Sequence, residues 1–151
     1  MVKTLEWTDA GVRLIDQTRL PTEEIYVTCR DHREVATAIR DMIVRGAPAI
    51  GVSAAMGVAL GVRNSKAKNI AELRPEFDEI CKTLASTRPT AVNLFWAIQR
   101  MRDRFEELSS EPLEAIKREL IEEAQRMNLA DIAACKMMGR KAAFRGVAVG
   151  Q

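Results

Sequence analysis

Histidine occurs once in this chain of 151 residues, at His32, and cysteine three times, at Cys29, Cys81 and Cys135. The thiols lie far apart, are odd in number and share no C-x-x-C spacing, so neither a disulfide framework nor a zinc site is expected. With a single imidazole and no paired carboxylate beside it, no metal site is expected. Reduced thiols fit a cytoplasmic chain. An excess of one charge is also missing. Charged residues make up 29% of the chain, yet the net charge is only +2. Basic and acidic residues alternate throughout, which describes solvated helix faces rather than a nucleic-acid footprint. The longest apolar run, Ala47 to Val62, has sixteen residues. A bilayer-spanning helix needs about 20, and Gly51, Ser53, Gly57 and Gly61 dilute this run further. Met1 to Thr8 carries Lys3 and Glu6 and no apolar h-region, so no secretory leader is expected.

What is present is enough for one core: 47% of the residues are hydrophobic,. "TLEWT", "VRLIDQ" and "EIYVTC" are rich in β-branched and aromatic residues. Asp9-Ala10-Gly11 and Leu20-Pro21 punctuate them, so a small antiparallel sheet is expected within residues 1–30. After Asp31 the period lengthens. Val35, Ala38, Ile39 and Met42 mark a helix ending near Val44. Ile70, Leu73, Phe77, Ile80 and Leu84 mark another, which Pro75 must kink or begin. A third runs from about Ala91 to Leu108 with Thr90 as expected N-cap. A fourth carries Leu113, Ile116, Leu120, Ala124 and Met127, with Ser110 as cap and Pro112 in its first turn. The expected fold is α+β: a β element over 1–30, then a helical bundle over 31–142 in the same unit. "VAV" at 147–149 reads as a new strand, so 143–151 is expected to open a further domain.

The chemistry concentrates in "VRGAPAIGVSAAMGVALGVR", Val44 to Arg63. Pro48 suits the first position of a helix, Gly46 can adopt backbone angles closed to other residues, and Arg45 precedes the turn. Free backbone N–H groups at a helix start and an arginine together make a workable anion site. The small residues that follow let other backbones approach closely, at a cost of roughly 1 kcal/mol per glycine relative to alanine. Spacing alone equally allows a closely packed core helix with no ligand. Arg88-Pro89-Thr90 repeats the pattern of arginine, break and helix start; Arg88 there reads either as a ligand contact or as a solvated linker residue.

The other candidates have plainer readings. Cys135, among Ile132, Ala134 and Met138, is expected to be a buried structural thiol, with no base near it in sequence. Cys29 ends a strand and Cys81 lies on a helix, neither with an evident partner. His32 reads as a helix-start surface residue, and Asp16 and Gln17 as turn-capping residues. Trp7, Phe77, Phe95 and Trp96 are expected in the core. Glu122-Glu123 and the run from Arg100 to Glu107 are expected on solvated faces.

Taken together, "LIDQTRLP" (14–21), "AIRDMIVRGAPAIG" (38–51) and "TRPTAVNLFWAIQRM" (87–101) resemble, in order and spacing, the amino-terminal part of the methylthioribose-1-phosphate isomerases. The resemblance spans nearly the whole chain. It implies an aldose–ketose isomerase of methionine salvage, converting 5-methylthioribose 1-phosphate to 5-methylthioribulose 1-phosphate. It implies a cytoplasmic homodimer at full length, with a sugar-phosphate substrate and no metal or organic cofactor. It also implies a helical domain with a β element, followed by a Rossmann-like domain that this chain does not contain. The resemblance assigns substrate contacts to Arg45, Gly46, Ala47 and Arg88. The family's acid/base pair, a cysteine in a T-H-C-N segment and a later aspartate, has no counterpart here. No catalytic residue is therefore expected in this chain, and isolated it is expected to be inactive. Two alternatives share the superfamily: regulatory subunits of the guanine-nucleotide exchange factor of translation initiation, and ribose-1,5-bisphosphate isomerase. The segments R-G-A-P-A-I-G and R-P-T-A-V-N-L favour the methylthioribose-phosphate enzyme.

Overall fold

A computed structural model describes residues 5–144, with side chains described from Leu5 to Asp131. The expected strand at 147–149 and the thiol of Cys135 lie outside the described residues. Three strands, β1 (Leu5–Thr8), β2 (Gly11–Ile15) and β3 (Tyr26–Cys29), form an antiparallel sheet in the order β1-β2-β3. Their register sets Leu5 opposite Leu14 and Leu14 opposite Val27, and likewise Trp7, Val12 and Cys29. Successive side chains alternate across a strand, so these six share one face. Leu5, Val12, Leu14 and Cys29 are buried, and Trp7 and Val27 pack against them. The opposite face is polar apart from the buried Ile15: Arg13 pairs with Glu6 at 3.1 Å and lies 4.0 Å over the Tyr26 ring. Gly11 starts β2 at φ +146, and a Cβ there would sit 2.0 Å from the Cys29 carbonyl oxygen. Only glycine permits that approach.

Five helices follow: α1 (His32–Arg40), α2 (Ala47–Arg63), α3 (Ile70–Ala85), α4 (Val92–Glu107) and α5 (Leu113–Phe144). Asp31 and Asn69 cap α1 and α3 by accepting from the N–H of Glu34 and Glu72, the side-chain capping these residue types favour. The helix α1 stops at Arg40 rather than near Val44, because Met42 takes φ +63 and turns the chain left-handed. Pro75 neither begins nor ends α3 but lies inside it. The helix α4 begins at Val92 with Ala91, not Thr90, at its N-cap and no side-chain bond there. The helix α5 begins at Leu113, so Ser110 lies outside its cap and Pro112 immediately precedes it, accepting from the Ile116 N–H at 3.0 Å.

The centre of the bundle is α2. It packs against α1, α3, α4 and α5 and touches β1 and β2. Every residue from Ile50 to Val62 is buried. Glycines make this possible. A Cβ at Gly57 would meet Val35 and Leu84 at 3.0–3.1 Å, and one at Gly61 would meet Ile80 at 2.7 Å. The small-residue helix is thus covered by its own domain. No described helix is long and apolar enough to cross a membrane.

Candidate functional site

Two helix starts meet in one cleft. It encloses about 420 Å³ and is lined by Met42, Arg45, Gly46, Ala47, Ile50, Arg88 and the segment from Thr90 to Asn93. The four residues expected to contact substrate therefore share one wall-to-wall space. Gly46 is the N-cap of α2 at φ +94, a conformation that favours glycine. Its carbonyl accepts from the Ile50 N–H at 3.0 Å. No side chain caps either α2 or α4. Helical geometry leaves the N–H groups of Ala47, Ala49, Val92 and Asn93 without an intrahelical acceptor, and the positive ends of both helix dipoles converge on the cleft. Pro48 is the second helical residue rather than the first.

The arginines are placed by the turns that carry them. Arg45 is exposed, and its Nε donates to the Met42 carbonyl at 3.3 Å. That turn is braced from the sheet side, where the Gln17 N–H donates to the Ile43 carbonyl at 3.0 Å. Asp16 meanwhile accepts from Thr18 through both N–H and hydroxyl, which is the capping role expected of it. Arg88 is half-buried. It sits between Thr87, whose hydroxyl donates to the Leu84 carbonyl at 2.6 Å, and the start of α4. Its own carbonyl accepts from the Ala91 N–H at 3.0 Å. Neither guanidinium faces an acidic partner among the described ion pairs. Gly51 sets the spacing of the two helix starts: a Cβ there would lie 3.0 Å from the Asn93 carbonyl oxygen.

The two described thiols do not line this cleft. Cys29 and Cys81 are buried and free, and burial pushes their pKa values up to about 11 and about 12. Such thiols stay protonated and unreactive near neutral pH. His32, half-buried at the first position of α1, has its pKa lowered by burial and then by Arg33. Among the described residues, no cluster of three metal-ligating side chains occurs.

Three expectations fail beside the cleft. Phe95 and Trp96 are 42% and 62% exposed rather than in the core, whereas Phe77 is buried and stacked on Phe105 at 4.0 Å. Glu123 is buried, not solvated, and accepts from Arg100 and Arg126 at 2.7 Å each. The run from Arg100 to Glu107 is likewise not one solvated face. Met101 and Phe105 are buried, Arg102 pairs with Asp78 on α3, and Arg104 pairs with Glu119 on α5. Met101 and Phe105 follow Leu94 and Ile98 at helical spacing, a signal that the reading of the run as one charged face passed over.

Residues 43–145, including both arginines and both helix starts, match the Initiation factor 2 subunit family, and the chain belongs to that family. Within it, the chain is 64% identical to the methylthioribose-1-phosphate isomerase of Koribacter versatilis (strain Ellin345), over 95% of this chain and 40% of that protein. It is 52% identical to the protein of the same name from Trichlorobacter lovleyi, over 93% of this chain and 41% of the relative. The chain thus spans about two-fifths of the length of these curated relatives. The crystal structure of 5-methylthioribose 1-phosphate isomerase from Pyrococcus horikoshii OT3 superposes with a TM-score of 0.81 at 43% identity, over 84% of this chain and 36% of that one. A structure described as translation initiation factor eIF-2B, subunit delta, from A. fulgidus superposes with a TM-score of 0.80 at 38% identity, over 87% and 38%.

Proposed function

We propose that this chain supplies the sugar-phosphate grip of an isomerase that converts 5-methylthioribose 1-phosphate to 5-methylthioribulose 1-phosphate. The observation that carries the reading is the convergence of Arg45, Gly46, Ala47 and Arg88 on a single cleft with two uncapped helix starts. Arginine donors and helix-start N–H groups are the donor set a phosphate monoester takes. In this reading Arg45 and Arg88 carry the charge-assisted hydrogen bonds, while Gly46 and Ala47 present backbone N–H groups.

The substrate bears its phosphate on the anomeric carbon, so the ring must be opened and hydrogen moved from C2 to C1. That step needs an acid/base pair in a dry pocket. The T-H-C-N segment that carries the family's cysteine is not among these 151 residues, so the chain by itself is proposed to bind substrate without turning it over. The full-length protein is proposed to act as a cytoplasmic homodimer without metal, organic cofactor or nucleic acid. The near-equal likeness to an initiation-factor subunit supports a second reading, a regulatory protein with the same fold. Two arginines in one cleft with no acidic partner among the described ion pairs favour the ligand-binding reading.

Calorimetric titration of the chain with 5-methylthioribose 1-phosphate tests this. Arg45→Ala and Arg88→Ala are each expected to weaken binding by about ten- to a hundredfold, from charged hydrogen bonds worth roughly 1.5–3 kcal/mol. Unchanged affinity in both variants overturns the assignment, and turnover by the chain alone overturns its division of labour.

A further inference from the structure

The helix α1 ends in a turn that usually takes glycine. Asp41 is its C-cap, and Met42 follows at φ +63. The Ile43 N–H donates to the Ala38 carbonyl at 3.0 Å, and the Met42 N–H donates to the Ile39 carbonyl at 3.2 Å. That pair of bonds is the Schellman ending of a helix, whose left-handed position favours glycine because a Cβ there is crowded. Among the described residues, Met42 is the only non-glycine residue at positive φ. Its neighbours hold it there: Val44 is buried, and the Gln17 N–H donates to the Ile43 carbonyl at 3.0 Å. Residues kept in this region against their preference gather at sites where geometry matters.

Burial does not explain the methionine, since Met42 is 46% exposed and lines the arginine cleft. Its carbonyl has a use, however. It accepts from the Arg45 Nε at 3.3 Å, the one described hydrogen bond of that exposed side chain. The bond uses Nε and leaves the two terminal nitrogens of the guanidinium to a ligand. We propose that Met42 is a positioning residue, whose left-handed main chain fixes the carbonyl that holds Arg45 ready for phosphate. The inference rests on the reading above, in which Arg45 binds the phosphate. The gain is preorganisation. A long exposed side chain gives up rotamer freedom when a ligand orders it, and one held beforehand gives up less. Glycine would make the turn without strain, but it reaches many more backbone angles, so the carbonyl would no longer be fixed. Strain at residue 42 is thus coupled to grip at residue 45.

Met42→Gly and Met42→Asn test this, by calorimetric titration with 5-methylthioribose 1-phosphate and by thermal melting. Met42→Gly is expected to melt no lower than the parent, because its strain is relieved, yet to bind about fivefold more weakly. Asparagine tolerates the left-handed region and keeps a Cβ, so Met42→Asn should bind within about twofold of the parent. In an Arg45→Ala background, Met42→Gly should leave affinity unchanged, whereas in an Arg88→Ala background it should again cost about fivefold. A merely structural residue would lower the melting temperature and weaken binding in both backgrounds alike, and that result overturns the inference. Equal affinity of Met42→Gly and the parent also overturns it and leaves the phosphate reading standing. If Met42→Asn binds as weakly as Met42→Gly, the methionine side chain rather than the turn is responsible, and the inference fails. If Arg45→Ala binds as tightly as the parent, the inference fails as well; if the parent binds no sugar phosphate, both it and the phosphate reading fail.

Discussion

The helices α2 and α4 both start at the same cleft, each just after an arginine-bearing turn, and they use apolar residues in opposite ways. From Ile50 to Val62, α2 buries every residue. Its glycines and alanines bring the neighbouring helices close, and the free energy of that approach is spread over the whole core. In contrast, α4 buries Leu94, Ala97, Ile98, Met101 and Phe105 but leaves Val92, Phe95 and Trp96 in water. The difference separates two meanings of hydrophobic sequence. In α2 it is structural, and in the first turns of α4 it is exposed surface beside the arginine-lined cleft.

Substitutions can break the comparison, and the largest effect is expected in α2. Leu60 is fully buried, so Leu60→Ala should cost about 2–5 kcal/mol in urea unfolding through lost burial and a cavity. Val92→Ala, by the same measurement, should stay within about 0.5 kcal/mol. Equal losses would erase the distinction between the helices.

Glu123 lies behind the exposed face of α4, and Glu123→Gln should cost about 1–2 kcal/mol. Its buried carboxylate loses two arginine partners, while the solvent around both arginines limits the loss. Burial pushes the Glu123 carboxyl up, but the hydrogen bonds from Arg126 and Arg100 outweigh it and hold the pKa below the usual 4.5. A carboxyl with a lowered native pKa stabilises the fold above its unfolded pKa and loses that contribution as pH falls through the native value. Between pH 7 and pH 3, Glu123→Gln should therefore lose less stability than the parent, with the difference arising below about pH 4.5. Parallel curves would show that the carboxylate is not stabilised by its pairs.

Gly51 joins the two helices. Gly51→Ala sets a methyl 3.0 Å from the Asn93 carbonyl oxygen. Crowding there is expected to exceed the gain in helix propensity, for a net loss of about 1 kcal/mol. Because Asn93 must move, affinity for inorganic phosphate should also fall, by severalfold. A gain in stability with unchanged phosphate affinity would show that α4 has room and that Gly51 does not space the cleft.

Much of this fold is legible in the chain. The strands read from alternation and Asp9-Ala10-Gly11, and the helices from residues such as Val35, Ala38 and Ile39 or Leu113, Ile116 and Leu120, because burial on one face imposes its period on the sequence. The arginine turns stood out because glycine and proline beside a helix start have few structural uses. Other features were not legible, for identifiable reasons. Trp96 follows Val92 at i+4, and periodicity reports which residues share a helix face without saying whether that face is covered. Glu123 looks solvated in a Glu-Glu pair, because its arginines come from Arg100 on another helix as well as from Arg126 nearby. Thr90 has a capping side chain, yet the helix starts after Ala91 with no side-chain cap, a choice that local capping preference does not reveal.

The sequence by itself determined the elements, their order, the small-residue character of α2 and the two arginine-bearing breaks, because each follows from local backbone preference and apolar period. Only the tertiary structure decided that the two breaks face one another, that Trp96 stands in water beside them and that Glu123 anchors the arginine next to that ring. Those outcomes depend on how closely α4 can approach α2. That distance is set by the missing side chain at Gly51 meeting a backbone carbonyl more than forty positions away in the chain, at Asn93.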